Sequence, residues 1–468
     1  MTKMLSGIKQ FILDYIESGK EIYFDLEKQV WEKPELGMEE HFASKLYTDF
    51  LEANGFEVER GSAGMPTAFI AVWGSEKPVI GFSMEYDALP GLSQKVQTKK
   101  EAKVPKAPGQ GCGHNLIGAG GAFAALAFKA AAEKFNIKCT IKIFGTPAEE
   151  LCIGKPVMGN AGLFRGVDIF LDWHPWSVSG AQYKTCPAYF NVKFHYKGRT
   201  AHGNSPWHGR SAMDAAILQA HAIEMLREHI TPGPGPLAAN TINYTFSDTG
   251  PEFASVVPDR ATLWCVGRFE TSKQLADALE RVKKTAEGSA IATGTTVETE
   301  YITASHEMIP NVAAHRVVHD NLILLGDIEF TEEEKRFVLD MQKEEGQETY
   351  WKEGIEPFDF SYFAVTDSAE YSWEGPYAQL SIKLGPGPGW HNWMVTACGG
   401  NTHGQKSIVK AAQILAASAV DFALDEKLVE DAETEWRESL GGRVYKSLLP
   451  EGTPVPLAIN KDTMEKYR

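Results

Sequence analysis

No run of about 18 consecutive apolar residues occurs in the chain, so a membrane-spanning helix is not expected. Cysteine is scarce. The six present (Cys112, Cys139, Cys152, Cys186, Cys265, Cys398) are dilute and lack any CxxC spacing, which argues against a disulfide framework and for reduced thiols. Positive charge is in deficit: Lys plus Arg number 46 against 62 Asp plus Glu, a formal net charge of −16. That balance argues against nucleic acid or an anionic membrane surface as the main partner. Met1 to Lys20 mixes Lys3, Lys9, Asp14 and Glu17 into a helical pattern, with no apolar run leading to a small-residue cleavage site; no signal peptide is expected, and the expected compartment is the cytoplasm. No internal repeat or low-complexity tract is present.

What remains is ample for a folded core. The 468 residues are 43% hydrophobic, with 24 Phe and 11 Trp, which predicts two or three domains. Residues 5–54 read as two amphipathic helices broken at Trp31–Gly37, where Pro34 and Gly37 punctuate the pattern. Ala68–Trp73 and Val79–Met84 are apolar runs of strand length, and Asp87 follows the second as the chain leaves the sheet. Lys95, Lys99, Lys100, Lys103 and Lys106 crowd a polar loop that reads as a solvated surface. An Ala/Gly-rich helix is predicted from Leu116 to Phe135, with Cys112 and His114 in the loop before it. Strands are predicted at Lys138–Phe144 and Val167–Asp172, followed by Glu149-Glu150 and by His174. Functional groups thus recur at strand ends, where sites collect in open α/β sheets.

Near Ala188 the texture changes. Tyr189–Tyr196 alternates like a half-buried strand. A helix at about Ser211–His229, a Pro/Gly loop at Thr231–Pro236, then strand, strand, helix and strand to about Ile302 complete a β-α-β-β-α-β-like module. The expected organisation is a discontinuous catalytic domain (1–187 and 304–468) with an inserted α+β, ferredoxin-like lid or dimerisation domain (188–303). The fold class is α/β, a mixed sheet flanked by helices.

Gly111-Cys112-Gly113-His114-Asn115 is the most informative segment. With Glu149-Glu150, His174 and Gly389-Trp390-His391 it supplies the soft and borderline donors that suit zinc or a similar divalent ion, with one carboxylate to spare as a base. Alone, Cys112 or His114 reads as a packed side chain; their i, i+2 spacing between glycines, which free the backbone to converge both donors, reverses that. Glu149-Glu150 after Pro147 also fits a solvated helix start. His391 and His403 both lie in glycine-rich loops before a C-terminal helix, and spacing alone does not choose between them.

Glu85–Gln94, Gly111–Leu116, Pro147–Glu150, Trp173-His174-Pro175, Ala201-His202, Gly209–Asp214, Val256-Val257-Pro258 and Thr366-Asp367 together resemble the dinuclear metallo-amidohydrolase and carboxypeptidase family that contains aminoacylases and carboxypeptidase G, in its branch of hippurate and auxin-conjugate hydrolases. The resemblance covers about 22–425. It implies two divalent ions (Zn or Mn) on Cys112, His114, Glu150, His174 and His391, with Cys112 bridging, and Glu149 as general base. It further implies that Asp87 orients a ligand histidine, that His202 reaches a partner chain's site to donate to the oxyanion, and that His391 rather than His403 completes the ligands. Arg268 and Asn243 are candidates for gripping a substrate carboxylate or carbonyl. Two departures stand out: Glu85 occupies the place of the His in the wider family's His-x-Asp motif, and Ser255 that of an Asn. The expected activity is hydrolysis of an N-acyl or aroyl amino acid amide, with an aryl-amide of an acidic amino acid as first substrate, by a homodimer or with a paralogous subunit. The rivals are a small dipeptidase and a non-catalytic partner subunit; all the implied ligand and base positions being filled argues against the second.

Overall fold

The computed structural model describes residues 7–235, 239–387 and 389–468. Met1–Ser6 at the head of the first expected helix, Pro236 at the end of the expected Pro/Gly loop and Pro388 before His391 lie outside them. The fold is mixed α/β. Its main sheet has six strands in the spatial order Glu57–Arg60, Phe69–Gly74, Thr140–Gly145, Val79–Met84, Ile169–Trp176, Tyr377–Lys383. The last four run parallel, and Phe69–Gly74 runs antiparallel to both its neighbours. The parallel strands are near-continuous apolar runs because helices cover both faces of the sheet.

The helix His114–Phe135 packs between the strand Val79–Met84 and the helices Gly7–Glu32 and Thr402–Leu424. It is long and apolar enough, like Thr402–Leu424, to cross a membrane by length and composition, yet nearly all its side chains are buried in this core. Small residues allow the close approach. A Cβ on Gly121 would lie 2.4 Å from the Ser83 carbonyl oxygen, and one on Gly120 would lie 2.7 Å from the Trp173 indole. On the opposite face Phe144, Phe164, Phe170 and Tyr371 form an aromatic cluster, with ring centroids 4.7 to 6.1 Å apart.

A second sheet of four antiparallel strands, in the order Thr296–Ser305, Ala188–Lys197, Arg260–Phe269, Thr241–Asp248, carries the helices Ala212–Arg227 and Ser272–Thr293. Its hydrophobic cluster, from Ala188 to Ala304, is distinct from that of the main sheet. The six cysteines are free, buried thiols.

Two local expectations need correction. His114 is not in the loop but is the first residue of its helix, because Gly113 at φ 85° turns the chain directly into it. His174 does not follow its strand; the strand runs on to Trp176, since it pairs with Leu380–Lys383. Arg268 lies near the end of the strand Arg260–Phe269.

Gly120→Ala tests the helix–sheet contact. The added methyl would raise helix propensity by about 1 kcal/mol, but it must displace Trp173, and overpacking costs about 1–3 kcal/mol. Chemical denaturation should show a net loss of stability, and an unchanged or raised midpoint would contradict the packing described.

Candidate metal centre

The site lies where the parallel strands end. Val79–Met84 delivers Glu85 and Asp87, Thr140–Gly145 delivers Glu149 and Glu150, Ile169–Trp176 carries His174 near its end, and the chain beyond Tyr377–Lys383 delivers His391. Cys112 and His114 enter from the turn and first residue of the central helix. This is the carboxyl edge of the sheet, as the strand-end pattern predicts.

Five of the expected donors converge in two groups that share Cys112. One donor atom each from Cys112, His114 and His174 lies within 4.8 Å of the other two, and the same holds for Cys112, Glu150 and His391. Cys112 Sγ is 3.4 Å from His174 Nε2, and His391 Nε2 is 3.3 Å from Glu150 Oε2. The ring orientations suit ligation. Asp87 Oδ1 accepts from His114 Nδ1 at 2.8 Å, and the Pro175 carbonyl accepts from His174 Nδ1 at 2.6 Å, so each ring turns Nε2 to the cluster. Asp87 Oδ2 accepts the Glu150 N–H at 3.0 Å, fixing the acidic turn against the same carboxylate. Glu149 and Glu150 sit on a 3₁₀ turn, Glu149–Leu151, entered through Ala148 at φ 55°. Both carboxylates approach His114 Nε2, Glu149 Oε2 at 3.7 Å and Glu150 Oε1 at 3.9 Å.

The donor set fits divalent cations. Among the described residues His114 Nε2 and Glu150 Oε1 are buried without a hydrogen-bond partner, and they face each other at 3.9 Å. They belong to different donor groups, so each group holds one residue with a buried, unpartnered donor atom left for a ligand. Burial, then the Glu150 charge, pushes the Cys112 thiol well up, and burial does the same to Glu150; a divalent cation reverses both effects. Burial, then His114, pulls His174 down to about 3 and lowers His391 as well, keeping both rings neutral, as ligation requires. Burial, reinforced by the Glu85 charge, pushes Glu149 up to about 7.

His403 does not join them. It is 1% exposed, stacked on Phe330 at 5.1 Å, with Nδ1 on Asn401 Oδ1 and Nε2 on the Glu334 carbonyl, so both ring nitrogens are engaged in the core.

A cavity of about 350 Å³ opens over the cluster, lined in part by Tyr189, Arg268, Thr366 and the aromatic rings of Trp176, Phe363 and Trp390. Trp176 lies 4.8 Å from Trp390 and 5.1 Å from Phe363, making an aromatic wall beside His174. Arg268 sits over the Tyr189 ring at 5.4 Å. Within one chain His202 and Asn243 do not line this cavity. Both are exposed, His202 in a loop after the strand Ala188–Lys197 and Asn243 on the edge strand Thr241–Asp248 of the second sheet. His202 Nδ1 accepts the Asn204 N–H at 3.0 Å, which leaves Nε2 to carry the proton of the neutral ring.

Sequence reasoning passes over Lys155, whose ammonium is wholly buried between Glu85 and Asp367 at 2.7 and 2.6 Å. Burial works against both ions, yet Asp367 and Glu85 keep Lys155 charged, and Lys155 with His114 holds Glu85 at about 2. It also gives no role to Glu85, whose Oε2 is 3.5 Å from His114 Nε2, nor to Thr366 and the aromatic wall. The only local signals are the position of Glu85 two residues before Asp87 and the Thr366-Asp367 motif.

Residues 81–322 match the profile of peptidase family M20/M25/M40. The chain is 32% identical to a subunit of the p-aminobenzoyl-glutamate hydrolase of Escherichia coli (strain K12), over 97% of this chain and 100% of that one. It is 28% identical to the Xaa-Arg dipeptidase of Mus musculus, over 92% and 93%. A solved dinuclear metal binding peptidase of the M20 family from Bacillus subtilis shares the fold, with a TM-score of 0.57 at 18% identity over 87% of this chain and 99% of that one.

The two C-terminal histidines give a direct test. His391→Ala should lower metal content or affinity, whereas His403→Ala should leave the metal in place and cost stability through its lost packing. Paired metal titrations check this, and retention of both ions by His391→Ala would remove it from the ligand set.

Proposed function

This chain belongs to peptidase family M20/M25/M40 and is a metal-dependent hydrolase acting on amide bonds; from that premise we propose that it cleaves an aroyl or acyl amino acid, with an aryl-amide of an acidic amino acid as preferred substrate. The observation that carries the reading is the pair of donor groups sharing Cys112. Cys112, His114 and His174 would hold one divalent ion, and Cys112, Glu150 and His391 the other; both zinc and manganese suit this set. When bound, such ions polarise the scissile carbonyl and lower the pKa of an attacking water.

The chain's own groups do the rest. Glu149 takes a proton from the water as its oxygen bonds to the acyl carbon, and later passes that proton to the departing amine as the C–N bond breaks. A base held up at about 7 is poised for both transfers near neutral pH. Trp176, Phe363 and Trp390 offer a flat apolar face to an aromatic acyl group, and the Arg268 guanidinium suits the carboxylate of the amino acid. The names of the relatives support the same chemistry: one is a p-aminobenzoyl-glutamate hydrolase, another a dipeptidase. The aromatic wall favours the first.

We place residues 188–303 as a lid that also dimerises, on a catalytic domain made of 1–187 and 304–468. Since His202 is outside its own chain's cavity, it would serve the partner's site as an oxyanion donor, the protonated Nε2 facing outward. A paralogous subunit in place of the second copy would meet the same need. The compartment we propose is the cytoplasm.

Glu149→Gln should keep both ions and lower turnover of an aroyl-glutamate by about two to four decades, the usual effect of removing a general base. Elemental analysis with a substrate panel checks this. Near-normal turnover in the metallated variant counts against the base, and faster cleavage of free dipeptides by the wild type counts against the substrate class.

Mixing inactive His202→Ala with inactive Glu149→Gln under subunit exchange should restore activity. Random exchange gives one good site in each mixed dimer, about one quarter of wild-type sites. Mixed dimers without recovered activity would place His202 outside the partner's site.

A further inference from the structure

Thr366 contacts Glu149 through its hydroxyl. The Ser368 N–H donates to Thr366 Oγ1 at 3.2 Å, and toward the ionised carboxylate, which only accepts, the hydroxyl donates to Glu149 Oε1 at 2.7 Å. That occupies one oxygen of Glu149. The other, Oε2, faces His114 Nε2 at 3.7 Å, on the side of the donor cluster.

The turn carrying Thr366 is anchored in its own right. Lys155 grips both oxygens of Asp367, its backbone N–H reaching Oδ2 at 3.1 Å and its Nζ reaching Oδ1 at 2.6 Å. The same Nζ donates to Glu85 Oε1 at 2.7 Å, and the Ser368 hydroxyl reaches that oxygen at 3.4 Å. Lys155 belongs to the short helix Gly154–Asn160, which begins four residues after Glu150. The acidic turn and the Thr366 turn are therefore tied to one helix by a buried charge network. A wholly buried ammonium and two carboxylates are costly to desolvate, and their retention is understandable if they hold a geometry.

From this arrangement we infer that Thr366 is a positioning residue for the base: its hydroxyl determines which oxygen of Glu149 faces the water, and Lys155 with Asp367 holds the Thr366 turn in register. The inference rests on the proposed role of Glu149. A purely structural Thr366, capping its own turn through Ser368, would respond differently to two substitutions.

Thr366→Val keeps the shape and removes the donor; Thr366→Ser keeps the donor. In the metal-loaded enzyme Thr366→Val should lower kcat about 10- to 100-fold, the range for removing a group that orients a functional one. KM should stay within about twofold, since substrate contacts are intact by the same reasoning. Metal content and thermal unfolding should match wild type, and Thr366→Ser should recover most of the turnover. In a Glu149→Gln background Thr366→Val should cost nothing further, because the hydroxyl acts only through that carboxylate. Wild-type kcat in Thr366→Val beside a crippled Glu149→Gln overturns the inference and spares the base. So does an additive loss in the double variant. A metallated, fully active Glu149→Gln removes the base and the inference together. Should the valine variant fail to fold, Thr366→Ala carries the same comparison.

Discussion

One carboxylate ties the two halves of the donor cluster together. Asp87 accepts from the His114 ring with one oxygen and from the Glu150 backbone with the other, so the start of the central helix and the acidic turn are set against a common, fully buried point. The rest of the architecture serves that point. The strand Val79–Met84 brings Asp87 to the sheet edge, the glycines of His114–Phe135 let the helix sit close enough for His114 to reach it, and the parallel neighbour Thr140–Gly145 delivers Glu150 alongside. Removing the carboxylate would free a histidine tautomer and a turn at once.

Around Asp87 the protein concentrates negative charge that water would ordinarily dilute. Glu85, Glu149, Glu150 and Asp367 all lie nearby, together with a thiol, and Lys155 is the buried amine that offsets two of them directly. Burial alone would push each carboxyl towards the protonated form. The opposing behaviour of two of them follows from their neighbours: Glu85, with Lys155 and His114 beside it, stays at about 2, while Glu149 meets Glu85 as a repelling charge and rises to about 7. Two carboxyls whose environments push them apart can take different roles, one holding structure and one moving a proton. The unpartnered His114 Nε2 and Glu150 Oε1 complete the logic: they are costly as buried orphans and favourable as ligands.

Much of this is legible in the chain because the informative signals are local. Cys112 and His114 are two residues apart, Glu149 and Glu150 are adjacent, and the strand-end rule joins them to Asp87 and His174. The boundary between the two sheets shows as a change from buried apolar runs to alternation near Ala188. Local patterns mislead where a long-range partner overrides them. The apolar run stops short of His174, yet the pairing with Ser381 extends the ladder through it. Nothing near Glu149-Glu150 signals that Ala148 takes a positive φ and leads into a 3₁₀ turn. Lys155 is invisible for a stronger reason: a lysine in an ordinary segment reads as surface, and its partners are 70 and 212 residues away. The aromatic wall has the same character, since Trp176, Phe363 and Trp390 come from three distant segments.

Backbone strain follows the chemistry. Of the seven non-glycine residues with positive φ among those described, Ala148, Cys152 and His391 flank or belong to the site. Each such residue costs on the order of 1 kcal/mol or more and persists only where the surroundings over-determine it. The ties are visible for the first two. Glu40, itself buried, accepts the Ala148 N–H at 2.8 Å, and Gly37 lies so close to Ala148 that a Cβ there would be 2.8 Å from its side chain. The Cys152 carbonyl accepts the Thr303 hydroxyl, near the end of the strand Thr296–Ser305. For His391, itself over half exposed, the ties lie on its neighbours: the Trp390 indole donates to the Cys112 carbonyl at 3.1 Å, and the Asn392 amide donates to the Gly389 carbonyl at 3.0 Å. The loop bearing His391 is thus pinned to the Cys112 backbone by the same Trp390 side chain that lines the cavity, so the aromatic wall and the donor cluster share one anchor.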